Sequence, residues 1–215
     1  MRKILHFLLK FLVLMILPFI FLIRGAIFLH EEYQMAPSLA ILGGAIATII
    51  LLILYFSYFY GTLTGKIGSL SSFKWRATLA LFVVVAYCGN GLLSLSEVHA
   101  KTDTVKKEFT SLHPILRLSI STILLIDKDF MLTDASRLPE DYKKMGLKSK
   151  KHSLHYRQKN GYVHAFDVRT KGKSNLRNFL LTWYFKLMGM NTLRHTGTGD
   201  HLHISLKSFD RPHAI

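Results

Sequence analysis

Three long apolar runs, all before Ser96, constrain this chain more than any other feature of its sequence. They cover residues 5–29, 37–60 and 77–95. A helix needs about 20 apolar residues to cross the hydrocarbon core of a bilayer. Lys10 and Arg24 interrupt the first run, so their side chains must extend toward opposite interfaces or face a protein neighbour. The sequence therefore predicts a membrane domain with three transmembrane helices over residues 1–96.

A cleaved signal peptide is the competing interpretation of the first run. The segment from Pro18 to Arg24 carries no small-residue cleavage pattern, and two further apolar runs follow. We therefore expect the first run to remain as a membrane helix of a multi-pass protein in the cytoplasmic (inner) membrane.

The charges between the apolar runs predict the orientation of the chain. Lys and Arg are retained in short loops on the cytoplasmic side. They occur at the N-terminus and in the second loop, as Arg2, Lys3, Lys66, Lys74 and Arg76. The first loop carries Glu31 and Glu32 instead. The N-terminus is therefore predicted to be cytoplasmic and the C-terminal domain extracytoplasmic.

Small residues within the second and third runs would allow these helices to pack closely. They are Gly43, Gly44, Ala45, Gly89 and Gly91. Small residues are common in membrane helices, and no acidic side chain lies within either run to suggest an ion path. We expect a membrane anchor rather than a channel or transporter.

The rest of the chain is strongly basic. From Leu95 onward there are 21 Lys and Arg against 11 Asp and Glu, a net charge of +10 out of +15. This charge suits an anionic polymer or lipid headgroups, and it also fits a basic surface that keeps a small domain soluble. The densest cluster, Lys148, Lys150 and Lys151, lacks the interleaved aromatic residues of a nucleic-acid site, so no nucleic-acid partner is predicted.

After the membrane domain, the patterns predict a linker over residues 97–111 and a small α+β domain over residues 112–215. Predicted helices cover residues 102–109, 113–123, 139–145 and 174–188, and predicted strands cover residues 152–156, 162–170 and 201–206. Asn160-Gly161 marks a hairpin turn between the first two strands. Periodicity alone leaves open whether residues 119–126 are helix or strand.

Four residues could form a metal site. His201 and His203 lie two apart on a predicted strand, so both imidazoles would share one face. The predicted hairpin could bring His155 beside Asp167. A carboxylate and two imidazoles from separate segments match the three-ligand set of a catalytic zinc site, with Asp200 near enough to accept a proton from bound water. A surface histidine pair would give the same spacing, so the pattern alone leaves both interpretations open.

Three motifs resemble the metal-binding motifs of the D-alanyl-D-alanine carboxypeptidase family, zinc peptidases that share a fold with the hedgehog signalling domain. They are Ser153-Leu-His-Tyr156, Ala165-Phe-Asp-Val-Arg-Thr170 and Gly199-Asp-His-Leu-His203. A fourth segment, Thr133-Asp-Ala-Ser-Arg137, is similar to a strand end of that family that finishes in a substrate-polarising arginine. The resemblance covers roughly residues 112–206 and none of the membrane part.

The resemblance implies a role for each of six residues. His155, Asp167 and His203 would bind Zn²⁺, Asp200 would be the general base, Arg137 would stabilise the oxyanion, and His201 would assist by hydrogen bonding beside the metal. The family usually has seven residues from the first histidine to the aspartate, whereas His155 and Asp167 are twelve apart. His164 could compete as first ligand, but strand alternation places it opposite Asp167, and His155 keeps the motif context.

The leading hypothesis is a membrane-anchored zinc metallopeptidase that acts on D-alanine-containing cell-wall peptides. It would be a D,D-carboxypeptidase or a peptidoglycan endopeptidase, with the lipid bilayer and peptidoglycan peptide as its partners. The alternative is a non-catalytic subunit of a membrane complex, whose peptidase-like domain binds wall peptide or a membrane-protein partner. Three apolar runs are more than a tether needs, which favours this alternative somewhat. A phage-type lysis protein is a third candidate, although no linker clearly separates its two parts.

Overall fold

A computed structural model describes residues 2–66, 68–93, 99–144, 146, 148, 150, 152–197 and 199–214, with side chains from Ile16 onward. Contacts within the chain divide it into two units, Met1–Gly89 and Asn90–Ile215. The predicted domain boundary at residues 96 and 97 lies outside the described residues, as do Leu95, Met145 and Lys151.

Three long helices precede the second unit or lead into it. They are α1 (Arg2–Tyr33), α2 (Pro37–Thr64) and α3 (Leu70–Leu93). Among the described residues, α2 and α3 are the two helices that are long and apolar enough to cross a membrane. The first predicted span lies within α1, but its first half falls before Ile16, where side chains are not described. This span therefore stays a prediction.

Helices α1 and α2 approach each other closely at Gly44. A Cβ atom on Gly44 would lie 2.5 Å from the backbone oxygen of Leu22 and 3.0 Å from the backbone nitrogen of Ala26. These backbone atoms cannot shift without moving α1. The close packing predicted from the small residues of α2 is confirmed at this point.

The third helix begins at Leu70, seven residues before the predicted start at residue 77. The hydroxyl of Ser69 accepts a hydrogen bond from the Ser72 amide at 3.3 Å, as an N-cap residue does. Lys74 and Arg76, which we expected in the loop, therefore lie in the first two turns of α3. The uninterrupted apolar part of the helix still begins after Arg76.

A four-stranded antiparallel sheet forms the centre of the second unit. Its strands are β1 (Leu132–Asp134), β2 (Ala165–Arg169), β3 (Asn191–His195) and β4 (His201–Ser205), in the order β1-β2-β4-β3. This sheet and the helices around it give the predicted α+β class. The more specific prediction of a zinc-peptidase fold stays a prediction.

Four helices accompany the sheet. They are α4 (Asp103–Glu108), α5 (Pro114–Ile126), α6 (Pro139–Lys144) and α7 (Asn175–Leu187), and a 3₁₀ turn (Phe109–Ser111) follows α4. The segment 119–126 is therefore helical rather than a strand. The helix predicted over residues 174–188 is α7, and the Ser174 hydroxyl caps it by accepting a hydrogen bond from the Arg177 amide at 3.2 Å. In the predicted linker, Val105 and Phe109 are buried.

One face of the sheet packs against α7, and the other face carries Asp167 and His203. Phe166 of β2 packs against Phe185 of α7, with ring centroids 5.6 Å apart. Leu202 and Ile204 of β4 pair with Val168 and Phe166 across the ladder, and all four side chains are fully buried. Because successive side chains of a strand alternate, the residues between them point to the opposite face.

The predicted strand over residues 152–156 is wrong, because this segment forms turns. Its backbone groups bond to separate parts of the chain: the Arg137 amide donates to the His155 carbonyl at 3.0 Å, and the His164 amide donates to the Leu154 carbonyl at 2.9 Å. What remains of the predicted hairpin is one isolated bridge between Arg157 and Val163. The extra residues between the first histidine and the aspartate are taken up in this reversal.

The closeness of α1 and α2 predicts the effect of added methyl groups. Gly44→Ala should lower the free energy of unfolding of the purified full chain in detergent by about 1–3 kcal/mol, because the new methyl group meets backbone atoms of α1. Its melting temperature in a thermal scan should fall accordingly. Gly89→Ala is the matched control, since no described atom lies within 4 Å of a Cβ there. Equal melting temperatures for the two variants would contradict the packing at Gly44.

Candidate metal centre

Two of the predicted ligands face each other across the centre of the sheet. Asp167 of β2 and His203 of β4 are direct partners in the antiparallel ladder, so their side chains lie on the same face. His203 Nδ1 lies 2.9 Å from Asp167 Oδ1. Both side chains are almost completely buried.

The third predicted ligand arrives from the turn segment and is held in one orientation. His155 Nδ1 donates a hydrogen bond to the Ala135 carbonyl at 2.7 Å, which leaves the lone pair on Nε2. That nitrogen lies 3.2 Å from His203 Nδ1 and 3.4 Å from Asp167 Oδ1. The structure thus brings together all three residues that the resemblance implied as metal ligands.

These three donor atoms are close enough together to bind one metal ion. Two donors bound to a tetrahedral metal at about 2.0–2.1 Å lie about 3.3–3.4 Å apart. Two of the three separations in this cluster, 3.2 Å and 3.4 Å, agree with that value, and the third, 2.9 Å, is slightly shorter. The buried carboxylate and imidazoles of His155, Asp167 and His203 could therefore hold a metal ion.

An arginine holds the other oxygen of the central carboxylate. Arg137 Nη2 donates to Asp167 Oδ2 at 2.6 Å, and Arg137 Nε donates to Asp134 Oδ2 at 2.8 Å. Asp167 thus turns Oδ1 toward the two imidazoles while Oδ2 is fixed by the guanidinium. This is how a residue beyond the ligands orients a metal-binding carboxylate. The geometry gives Arg137 a positioning contact, and its implied oxyanion role stays a prediction.

The cluster favours an ionised Asp167 and a neutral His203. Burial raises the pKa of Asp167, but the imidazoles of His155 and His203 outweigh burial and hold this pKa well below its usual value. Burial lowers the pKa of His203, against the opposing effect of its hydrogen bond to Asp167. For Arg137, burial is outweighed by Asp167 and Asp134, which raise its pKa. These are the protonation states that metal ligation requires.

His201 lies at the opening of the cluster, on the same face of β4 as His203. Its Nδ1 donates to the Gly199 carbonyl at 2.5 Å, so its lone pair is on Nε2, which lies 3.6 Å from Asp167 Oδ2. His195 of β3 stacks on its ring with centroids 4.8 Å apart. Burial, followed by the electrostatic effect of the neighbouring His201, lowers the pKa of His195. His201 is the half-buried imidazole nearest the three donors that remains open to a substrate.

Asp200, the implied general base, has strong partners of its own. Arg194 binds both of its oxygens, with Nη2 at 3.0 Å from Oδ2 and Nε at 3.3 Å from Oδ1. The Thr170 hydroxyl donates to Oδ1 at 2.6 Å. The hydrogen bond from Arg194, followed by that from Thr170, lowers the pKa of Asp200, so this carboxylate is ionised but weakly basic.

An open cleft of about 430 Å³ borders Asp167 and His201, and most of the residues that line it are charged. The lining includes four cationic side chains and the carboxylates of Asp134, Asp167 and Asp200. The cations are Lys101, Arg137, Arg169 and Lys171. An anionic group that enters this cleft would meet several positive side chains.

His164, the competing first ligand, lies outside the cluster. Its Nδ1 donates to the Lys207 carbonyl at 2.8 Å, and its Nε2 accepts from the Asn160 side chain at 2.9 Å. The sequence analysis assigned no role in the site to Asp134, Arg194 or His195. Strand β3, which carries Arg194 and His195, was itself not predicted. The one local signal for it is Gly189, whose φ of +96° suits the end of α7 and so leaves the next residues free to form a strand.

Comparisons with models of protein families, with curated proteins and with solved structures found no match for this chain. The function is therefore inferred from the geometry of the cluster and its surroundings.

The cluster predicts which substitutions remove a bound metal. His203→Ala and Asp167→Ala should each abolish stoichiometric metal in the purified full chain, because two protein ligands hold a metal ion poorly. His195→Ala should keep it. Metal content measured by elemental analysis checks this, and stoichiometric metal in the Asp167 variant would contradict the ligand assignment.

The contact between Arg137 and Asp167 predicts a weaker effect at a residue that is not a ligand. Arg137→Ala should lower metal affinity by about 10- to 100-fold, because the carboxylate loses the group that orients it. Arg194→Ala, which removes an arginine that binds Asp200 and not Asp167, is the control. Competition titration with a chromogenic chelator gives both affinities, and equal affinities would show that Arg137 does not position the ligand.

Proposed function

We propose that the chain is a membrane-anchored zinc metallopeptidase. The observation that carries this proposal is the convergence of His155 Nε2, Asp167 Oδ1 and His203 Nδ1 at separations of 2.9–3.4 Å. Three protein ligands leave a fourth coordination position for a water molecule or substrate, as in catalytic rather than structural zinc sites. The mixed imidazole and carboxylate ligand set is also one that zinc binds.

When zinc is bound, it lowers the pKa of its water toward about 7 and polarises the scissile carbonyl. The protein must supply a group that accepts the proton of this water. His201 is the better placed of the two candidates, because its Nε2 lone pair lies 3.6 Å from Asp167 Oδ2 and its ring is half-buried at the cleft. The Asp200 carboxylate is bound by Arg194 and Thr170, which reduces its basicity. We therefore assign proton transfer to His201 Nε2 and a supporting negative charge to Asp200.

The substrate class follows from the resemblance and from the charge of the cleft. Motif similarity to D-alanyl-D-alanine carboxypeptidases implies a D-alanine-containing wall peptide. The cations Lys101, Arg169 and Lys171 suit a peptide that ends in a free carboxylate. They favour release of a C-terminal residue, as by a D,D-carboxypeptidase, over cleavage within a cross-link.

The membrane placement supports the same substrate. Helices α2 and α3 are long and apolar enough to span a bilayer, and the first apolar run would supply a third span. The basic residues between the second and third runs and the acidic first loop favour an extracytoplasmic C-terminal domain. A peptidase so placed would face the cell wall.

A second candidate function is a non-catalytic subunit that binds wall peptide or a partner protein. The observation that favours it is the saturation of Asp200 and Arg137 by partners within the chain, which leaves His201 as the one proposed proton acceptor. A metal in such a protein would serve stability or ligand binding. Cleavage of a peptide is therefore the decisive property.

The proposal predicts different effects for the two proton-transfer candidates. The zinc-loaded full chain in detergent should release D-alanine from a wall pentapeptide. His201→Ala should keep zinc and lower kcat by about 10²- to 10⁴-fold, the usual contribution of general-base catalysis. Asp200→Asn should lower kcat less, because its carboxylate is not the proton acceptor. Release is measured with a coupled D-amino acid oxidase assay.

The outcomes of this assay separate the hypotheses. Equal activity of the His201 variant and the parent chain would contradict the assigned role. A greater loss in the Asp200 variant would return general-base catalysis to Asp200. If the parent chain binds zinc and the pentapeptide but never cleaves the peptide, the non-catalytic subunit becomes the supported function.

A further inference from the structure

Helix α7 exposes a continuous apolar stripe to solvent. Leu176, Phe179, Leu180 and Trp183 follow the i, i+3, i+4, i+7 spacing of one helical face. Their exposed fractions are 68%, 57%, 57% and 49%. The opposite face, with Leu181 and Phe185, is the one buried against the sheet. A soluble domain rarely leaves such a stripe uncovered.

The neighbouring helix extends the exposed apolar surface. The Tyr184 hydroxyl donates to the Ser119 carbonyl at 2.6 Å, and Arg177 pairs with Asp127 at the other end, so α5 and α7 run antiparallel side by side. At the C-terminal end of α5, Leu125 and Ile126 are 71% and 67% exposed. Two further large apolar side chains are thus exposed at the end of α5, near the first turn of α7.

The composition of this surface suits the boundary between lipid and water. Trp183 carries an apolar ring with one polar N–H, and the Lys186 ammonium lies 5.7 Å from the centre of that ring. Tryptophan at headgroup level and lysine reaching toward phosphate are typical of helices that lie in the membrane surface. The net charge of +10 from Leu95 onward adds attraction to anionic headgroups.

The covalent connection keeps the surface near a bilayer. Nine residues lie between Leu93, the end of α3, and Asp103, the start of α4. Even fully extended, they span at most about 35 Å. Since α3 is long and apolar enough to cross a membrane, the α+β domain has a lipid surface within reach at every moment.

We propose that the exposed face of α7, formed by Leu176, Phe179, Leu180 and Trp183, lies in the headgroup region of the bilayer in which the chain is anchored. The helix docks parallel to the membrane surface with its apolar side chains below the phosphates. The exposed face of α7 and the cluster of His155, Asp167 and His203 lie on opposite sides of the sheet. Docking would therefore turn the cleft away from the lipid. The surface goes beyond the proposed peptidase activity and does not depend on it.

The two tryptophans of the chain, Trp75 and Trp183, allow a direct test. Trp75→Phe leaves Trp183 as the sole tryptophan of the chain, and Trp183→Phe leaves Trp75 of α3. Each full-length variant is placed, one chain per disc, in nanodiscs of equal amounts of phosphatidylcholine and phosphatidylglycerol. Quenching by bromine at shallow or deep acyl positions is compared with quenching by aqueous acrylamide.

We expect Trp183 to be quenched by shallow bromine, more weakly by deep bromine, and to be shielded from acrylamide. In the Trp75→Phe background, Leu180→Asp should reduce the bromine quenching of Trp183, because a charge enters the docked face. Leu138→Asp, at a similarly exposed leucine outside α7, should leave it unchanged. No peptide is present, so the result is independent of catalysis.

Three results would contradict the proposed docking of α7. Trp183 open to acrylamide and untouched by bromine would mean that α7 faces water. Trp183 shielded from both quenchers would mean that protein covers it. If bromine does not quench Trp75, α3 does not lie in the bilayer and the proposed docking of α7 fails with it. If bromine quenches Trp75 but not Trp183, α3 is a membrane helix but α7 is not docked.

Discussion

A buried negative charge at Asp167 is the constraint around which the second unit is organised. An ionised carboxylate in a protein interior requires charged or hydrogen-bonding partners, and removal of one partner of such a group costs about 3–5 kcal/mol. Here the partners come from three separate segments: His203 from β4, His155 from the turns before β2, and Arg137 from the stretch after β1. Fixing that carboxylate therefore fixes the relative positions of the sheet and both loops.

Strand alternation explains how one short ladder serves two purposes. Phe166, Val168, Leu202 and Ile204 build the apolar face on which α7 packs, while Asp167, His201 and His203 occupy the other face. A shift of one residue in this register would bury the imidazoles in the core and expose the apolar side chains. The cluster of His155, Asp167 and His203 and the hydrophobic core thus depend on the same pairing of β2 with β4. This arrangement also sets the cleft and the helical layer on opposite sides of the sheet.

The sequence was sufficient wherever the determining signal was local. The local sequence pattern predicted the helix over residues 174–188, and the two-residue period predicted that His201 and His203 would share a face. The pairing of Asp167 with His203 joins residues 36 positions apart, and no local pattern encodes it. The strand predicted at residues 152–156 failed because Ser153 and His155 bond to distant groups, Tyr142 and Ala135, rather than to a neighbouring strand. Arg194 was missed because β3 is short, exposed and polar, so it lacks strand periodicity.

The central claim is that His155, Asp167 and His203 bind zinc together. Zinc K-edge X-ray absorption of the full chain, purified with its metal, tests this claim most directly. The account predicts four nitrogen or oxygen ligands at about 2.0–2.1 Å, outer-shell scattering from two imidazoles, and no sulfur. A chain that retains no zinc after purification in its presence, or a spectrum with fewer than two imidazoles, would contradict it.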